Sequence, residues 1–110
     1  MDTLDYRQII QQILIEYTKI PYAYGQIQTQ LISDRNSNHY LLMNVGWENK
    51  KRVHGCLVHI EIINDKIWIQ RDGTEQGIAN ELVTAGIPKE NIVLGFHPTE
   101  VRQYTEYAIS

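Results

Sequence analysis

The sequence is short of several residue types, and each shortage excludes a class of protein. Cys56 is the only cysteine among 110 residues, so the chain can form no internal disulfide and lacks the clustered thiols of a structural zinc site. This excludes a disulfide-stapled secreted domain and favours a reducing compartment. No apolar run approaches the roughly 20 residues of a membrane span, and the acidic start at residues 1–5 differs from the basic start of a signal peptide. We therefore expect a cytoplasmic protein that contacts no membrane.

Neither sign of charge is in large excess. The 10 basic and 13 acidic residues leave a formal charge of −3, which gives the chain as a whole no attraction for phosphate groups. Nucleic acid could therefore be bound only through a local basic patch. Hydrophobic residues make up 43% of the chain, which is enough for one core without staples. We predict a single domain over residues 1–110.

The chain begins with an amphipathic pattern. Apolar side chains recur at spacings of three and four, which predicts a helix with one buried stripe. The stripe consists of Tyr6, Ile9, Ile10, Ile13, Leu14 and Tyr17. Asp2 or Thr3 is available as the N-cap, and Pro21 is expected to end the helix. Residues 20–25 then lead the chain from helix to sheet.

Between residues 27 and 71 the apolar spacing changes to two, which predicts four antiparallel strands in a meander. Turn residues separate the strands at 34–38, 48–51 and 64–65. Counting outward from the last two turns pairs Val45 with His54, Met43 with Cys56 and Leu41 with Val58. It likewise pairs Ile62 with Ile67, Ile60 with Ile69 and Val58 with Arg71. With unbroken alternation, the face that the helices cover contains Leu41, Met43, Val45, His54, Cys56, Val58, Ile60, Ile62, Ile67, Ile69 and Arg71.

The same count gives the opposite face an unusually apolar composition. Its large side chains are Tyr40, Leu42, Val53, Leu57, His59 and Trp68. Because such a face is too apolar for open water, the third strand should be central and something should cover this side. The cover is either the C-terminal segment of this chain, or a second copy or partner. We predict this surface as the candidate contact for a partner or an oligomer.

The C-terminal part predicts a second helix and a short strand. Thr74 is expected to cap a helix that ends at Gly86. Its buried stripe consists of Ile78, Ala79, Leu82 and Val83. Residues 92–96 read as a short buried strand, and residues 98–104 as a last helical turn. The predicted fold is thus α+β, a four-stranded antiparallel meander with an N-terminal helix and a C-terminal helix packed on one face, followed by a short strand and helix.

Histidine and cysteine give no sign of a metal centre. His54 and His59 lie five apart in one strand, which predicts opposite faces of the sheet and so no shared metal. Cys56, predicted beside Met43, reads as inert packing. We expect no metal and no cofactor.

One polar cluster lies at the junction of the last meander strand and the second helix. Arg71, Asp72 and Glu75 stand together in sequence at a position where active sites occur, which would suit a small-molecule enzyme or a nuclease. A turn, a cap and the helix dipole explain the same residues without any chemistry. We therefore predict no catalytic residue and no enzyme.

A basic cluster occupies the turn before the third strand. Lys50, Lys51 and Arg52 form it, and His54 follows closely. Such a hairpin tip is able to contact a phosphate backbone, but three adjacent cations are most often a solvated turn.

Several stretches, read together, resemble one family. They are NVGW at 44–47, RVHGCLVHI at 52–60, KIWIQRDGTE at 66–75 and AGIPK at 85–89, with YRQII at 6–10 and IVLGFHP at 92–98. In this the chain resembles the XisI-type fdxN element excision controlling factors over almost its whole length. The departures fall at 36–39, 48–50, Thr99 and the tail from residue 106.

The resemblance implies a cyanobacterial accessory protein that works with a companion of the XisH type and controls the excision of a DNA element. A separate site-specific recombinase would cut the DNA, and any contact of this chain with DNA could be indirect. The family supplies no catalytic residue to transfer. With the apolar sheet face, this favours a protein-binding regulatory subunit that self-associates, most simply as a dimer. The alternative is a small DNA-binding protein that uses the 50–54 hairpin.

Overall fold

The computed structural model describes residues 3–20 and 26–110, so the predictions for Asp2, Pro21 and the rest of the 21–25 linker lie outside the described residues. The elements, in chain order, are α1 (Thr3–Thr18), β1 (Gln26–Ser33), β2 (His39–Glu48), β3 (Lys51–Ile63), β4 (Lys66–Asp72), α2 (Ile78–Thr84), a 3-10 turn (Lys89–Asn91), β5 (Ile92–Leu94) and α3 (Thr99–Arg102). The α+β prediction is confirmed. Within the described residues, no helix has both the length and the apolar character needed to cross a bilayer.

The strands form one sheet in the order β1-β2-β3-β4-β5, with β3 in the centre as predicted. The first four strands are antiparallel, and β5 lies parallel to β4. Two tight turns hold the β2–β3 and β3–β4 hairpins. Asn49, Asn64 and Asp65 adopt positive φ there, which is typical of the two-residue turns that match strand twist.

The pairing of β2 with β3 contains a β-bulge. The pairs nearest the turn are as predicted, Val45 with His54 and Met43 with Cys56. Leu57 is then an extra residue in β3, so Leu42 lies opposite Val58 and Leu41 opposite His59. The prediction that Leu41 faces Val58 is therefore wrong, because alternation cannot be carried through a bulge.

A second bulge interrupts the pairing of β3 with β4. The pairs nearest the turn are as predicted, Ile62 with Ile67 and Ile60 with Ile69. Gln70 is then extra, and Val58 lies opposite Asp72. The predicted pair of Val58 with Arg71 is wrong for the same reason.

The bulges change which side chains meet the helices. The core comprises Tyr6, Ile10, Leu14, Tyr40, Leu42, Val58, Ile60, Ile67, Ile69, Ile78, Leu82, Ile87, Ile92 and Leu94. Tyr40 and Leu42, predicted on the uncovered face, are completely buried on the helix side. Leu57 packs against the same core, and Val53 alternates to the same side because it pairs with Gly46, four residues from Leu42.

The helices lie where the periodicity places them. The predicted stripes of α1 and α2 are buried or packed against the core. However, α2 begins at Ile78, and the side chain that accepts its first free amide belongs to Asp72, with an N···O distance of 2.7 Å. Thr74 donates to the other oxygen of Asp72, and its hydroxyl accepts the amide of Gly77, the residue before the helix, at 3.2 Å. Gly86 ends α2 with a φ of 108°, as predicted.

Candidate partner surface and neighbouring polar sites

The side of the sheet that faces away from α1 and α2 carries an apolar strip, which we call the outer face. Strand alternation places there Ile32, Leu41, Met43, Val45, Trp47 and Cys56. Trp47 and Ile32 are 49% and 47% exposed, and the others are partly buried. Sequence reasoning assigned Leu41, Met43, Val45 and Cys56 to the helix side, and the bulge at Leu57 is the reason that this assignment is wrong.

The C-terminal segment covers one end of the outer face. The guanidinium of Arg102 lies 5.1 Å from the ring centroid of Trp68, within the range of a cation–π contact. Arg102 also donates to the carbonyl oxygens of His97 and Ile109, which fixes the tail over the ring. The chain thus covers its own outer face at Trp68, but the strip on β1 to β3 still leaves Ile32 and Trp47 about half exposed.

His59 stays on the outer face, as predicted, and belongs to a chain of polar contacts. Its Nε2 lies 3.3 Å from one oxygen of Glu61, whose other oxygen lies 3.4 Å from Nε2 of His39. The opposite nitrogen of His39 lies 3.5 Å from Asp34. The backbone amide of His39 donates to this Asp34 carboxylate and, with that of Asn38, holds the pKa of Asp34 below its usual range. These groups give the apolar strip a polar border.

His54 shares the outer face with His59, contrary to the prediction of opposite faces. His54 pairs with Val45 and His59 with Leu41, and these partners lie four residues apart on the regular strand β2. Because Leu57 is an extra residue between them, the two histidines lie on the same side of the sheet. Within the described residues, no group of three His, Cys, Asp or Glu side chains has the geometry of a metal site.

The β2–β3 hairpin tip is basic and exposed, as the sequence predicts. Lys50, Lys51 and Arg52 are all exposed. The Arg52 guanidinium lies 5.2 Å from the ring centroid of Trp47 and donates to the carbonyl oxygen of Gly46. Sequence reasoning missed Trp47 at this tip, although its pairing with Arg52 follows from the predicted register.

The three residues of the polar cluster at the junction of β4 and α2 have separate contacts. Arg71 donates through Nε to the carbonyl oxygen of Cys56, 2.8 Å away. Asp72 is occupied by the amides that open α2. Of these three residues, only Glu75 lines a cavity. The turn interpretation of this junction therefore accounts for Asp72.

That cavity, of about 510 Å³, lies between the end of α1 and the loop before α2. The hydroxyl of Tyr17 lines it and donates to Oε2 of Glu81 at 2.5 Å. Burial, together with this carboxylate, raises the pKa of Tyr17 to about 12. Sequence reasoning missed the cavity because its walls are far apart in the chain and meet only after folding.

Comparison with known proteins gives one consistent result. The family described as XisI protein matches residues 1–109. A solved XisI-like protein from Anabaena variabilis ATCC 29413 is 37% identical, with a TM-score of 0.89 over 98% of this chain and 99% of that chain. The solved fdxN element excision controlling factor XisI from the same organism is 38% identical, with a TM-score of 0.82 over 98% of each chain. No curated protein matches the chain.

Proposed function

We propose, from the premise that this chain belongs to the XisI family, that it is a controlling factor in the excision of a DNA element. The family membership that the sequence stretches predicted is confirmed by the match over residues 1–109. One similar solved protein bears the name fdxN element excision controlling factor. That name supports a regulatory role for this chain.

The proposed mode of action is binding to a companion protein of the XisH type, in the cytoplasm and without catalysis by this chain. The carrying observation is the outer face, where Leu41, Met43 and Val45 follow one another on the same side of β2. Apolar area removed from water contributes about 25 cal/mol per Å², and contiguous exposed apolar patches mark protein contacts. A partner that covers this strip would therefore gain most of its affinity there.

The composition of the outer face suits such a contact. Met43 is a flexible apolar side chain, and Trp47 is an aromatic side chain that is 49% exposed. Both residue types are enriched at protein interfaces. The basic tip and the Glu61 cluster lie at opposite ends of the strip, and they would form the polar rim that surrounds an interface core.

The test is co-purification of the tagged protein with an XisH-type companion. Met43→Asp places a charge in the centre of the proposed interface, and we expect capture to fall at least roughly tenfold, which corresponds to about 1.4 kcal/mol. Val101→Asp is the matched control, because Val101 is 40% exposed but lies on α3. Full capture by folded Met43→Asp protein would contradict the proposed surface.

A second candidate function is direct DNA contact through the hairpin tip. It is favoured by three exposed cations beside an exposed Trp47, since cations neutralise phosphates and aromatic rings stack on bases. It predicts an affinity that falls steeply with salt and is lost when Lys50, Lys51 and Arg52 are all changed to Ala. Fluorescence anisotropy with labelled DNA measures this, with Lys19→Ala as a control at a distant exposed cation. Binding that survives the triple change would exclude the tip.

A further inference from the structure

The two edges of the sheet are treated differently by the fold. At one edge, β5 is only three residues long, and the tail pairs with it, since the amide of Ala108 donates to the carbonyl oxygen of Ile92 at 2.9 Å. At the other edge, β1 runs for eight residues, pairs with β2 without a bulge, and contains no charged residue and no proline. Charges, prolines, bulges and short length are the usual protections of an edge strand against pairing. The β1 edge has none of them.

The hydrogen-bond pattern shows which groups of β1 face outward. The amide of Asp34 donates to the carbonyl oxygen of His39, so these two residues form a hydrogen-bonded pair at the end of the β1–β2 ladder. Because such pairs alternate along antiparallel strands, the amides of Ile27, Thr29, Leu31 and Ser33 point away from β2. None of these four amides has a backbone hydrogen bond to another described element.

We propose that β1 pairs with β1 of a second copy of this chain, antiparallel and centred on Gln30, to make one continuous sheet. This register places Thr29 opposite Leu31 and Ile27 opposite Ser33 of the second copy, so that every outward amide of the strand has a partner. The proposed pairing follows from the backbone amides of β1 that point away from β2, and it assumes no contact with a companion protein. The inference is thus independent of the proposed function.

The chemistry of β1 favours a second copy over a foreign strand. A strand without charge offers no countercharge to a charged partner, and it lies against itself without bringing like charges together. A two-fold axis perpendicular to the sheet also keeps the helices of both copies on one side. The two outer faces then lie on the same side of the joined sheet, with Gln30 of each copy facing the other at the centre.

The experiment measures mass by light scattering over a range of concentrations, with no companion present. Wild-type protein is expected at twice 12.8 kDa. Gln30 is exposed and lies on the outer face, so Gln30→Lys and Gln30→Glu should each leave the fold intact and place like charges opposite one another. Each variant alone is expected at 12.8 kDa, and an equal mixture should return to twice that mass. Gln12→Lys, at an exposed position of α1, should remain dimeric.

Three results would overturn the proposal. They are wild-type protein of single-chain mass at every concentration, a dimer that both Gln30 variants retain, and a mixture of the two variants that stays monomeric. Circular dichroism of each variant establishes that it is folded. Because only self-association is measured, failure here leaves companion binding untouched, and failure of companion capture leaves the dimer untouched.

Discussion

At the scale of single residues, the core tyrosines Tyr40 and Tyr6 differ in the hydrogen bonds of their hydroxyls. The hydroxyl of Tyr40 is buried and makes no hydrogen bond of good geometry among the described residues. Burial raises the pKa of Tyr40, and the nearby Ser37 side chain offsets part of that rise. The hydroxyl of Tyr6 is a natural comparison, because it accepts a hydrogen bond from Nδ2 of Asn91. Leaving a buried polar group unpaired costs about 1–3 kcal/mol, so the two tyrosines should respond differently to loss of the hydroxyl.

We expect Tyr40→Phe to leave the free energy of unfolding unchanged or to raise it by up to about 1 kcal/mol, because it removes an uncompensated group. Tyr6→Phe should lower it by about 1 kcal/mol, because it deletes a made hydrogen bond. Urea denaturation of both variants measures the difference. Equal destabilisation by the two changes would contradict this account of the core.

The raised pKa of Tyr17 should make the free energy of unfolding depend on pH at the alkaline end. Its folded pKa of about 12 lies above the ordinary value of 10.0, so the folded state favours the protonated phenol. The resulting stability is fully present below pH 10 and is lost as the pH rises towards 12. The advantage of wild-type protein over Tyr17→Phe in unfolding free energy should therefore shrink over that interval. A difference that stays constant from pH 10 to pH 12 would contradict a raised pKa of Tyr17 in the folded state.

At the scale of elements, the side chain of Asp72 caps the N-terminus of α2. Its two carboxylate oxygens accept the amides of Thr74 and Ile78, at 2.9 and 2.7 Å. We expect Asp72→Ala to lower the unfolding free energy by about 1–2 kcal/mol, as other lost caps do. Thermal unfolding measures this, with Glu75→Ala as the control from the same junction, because Glu75 is exposed. Equal stability of the two variants would contradict the capping role.

The elements themselves were predictable from sequence, and their faces were predictable only in part. Helix stripes and hairpin turns are local signals, and the pairs next to each turn follow from them. The bulges at Leu57 and Gln70 leave no such signal. The runs Tyr40 to Leu42 and Leu57 to Val58 consist of consecutive apolar residues. Each run therefore places apolar side chains on both faces of the sheet, and the sequence pattern is the same with or without a bulge.

The change of register at the Leu57 bulge also decides how much of the candidate site was predictable. Among the side chains predicted for the partner surface, His59 lies on the outer face and Trp68 lies beneath the tail, whereas Tyr40 and Leu42 are in the core. An apolar second face was correctly inferred from composition, because both phases of β2 and β3 are apolar. Which residues form it depends on the bulge at Leu57.

At the scale of the whole molecule, the two sides of the sheet differ. The helix side supplies the core, whereas on the outer face the tail lies over Trp68 and the apolar strip on β1 to β3 leaves Ile32 and Trp47 about half exposed. Pairing through β1 would place two such strips side by side. Under the proposed function this surface would bind the companion protein, and a solved relative bears the name of an excision controlling factor.

The central claim, that the outer face holds the companion, is tested most directly by site-specific photo-crosslinking. A photoreactive residue in place of Met43 lies on the outer face, and one in place of Gln12 lies on the exposed surface of α1. With an XisH-type companion present, we predict a crosslinked adduct of the two chains from position 43 and none from position 12. An adduct from position 12 alone, or equal yields from both positions, would contradict the account.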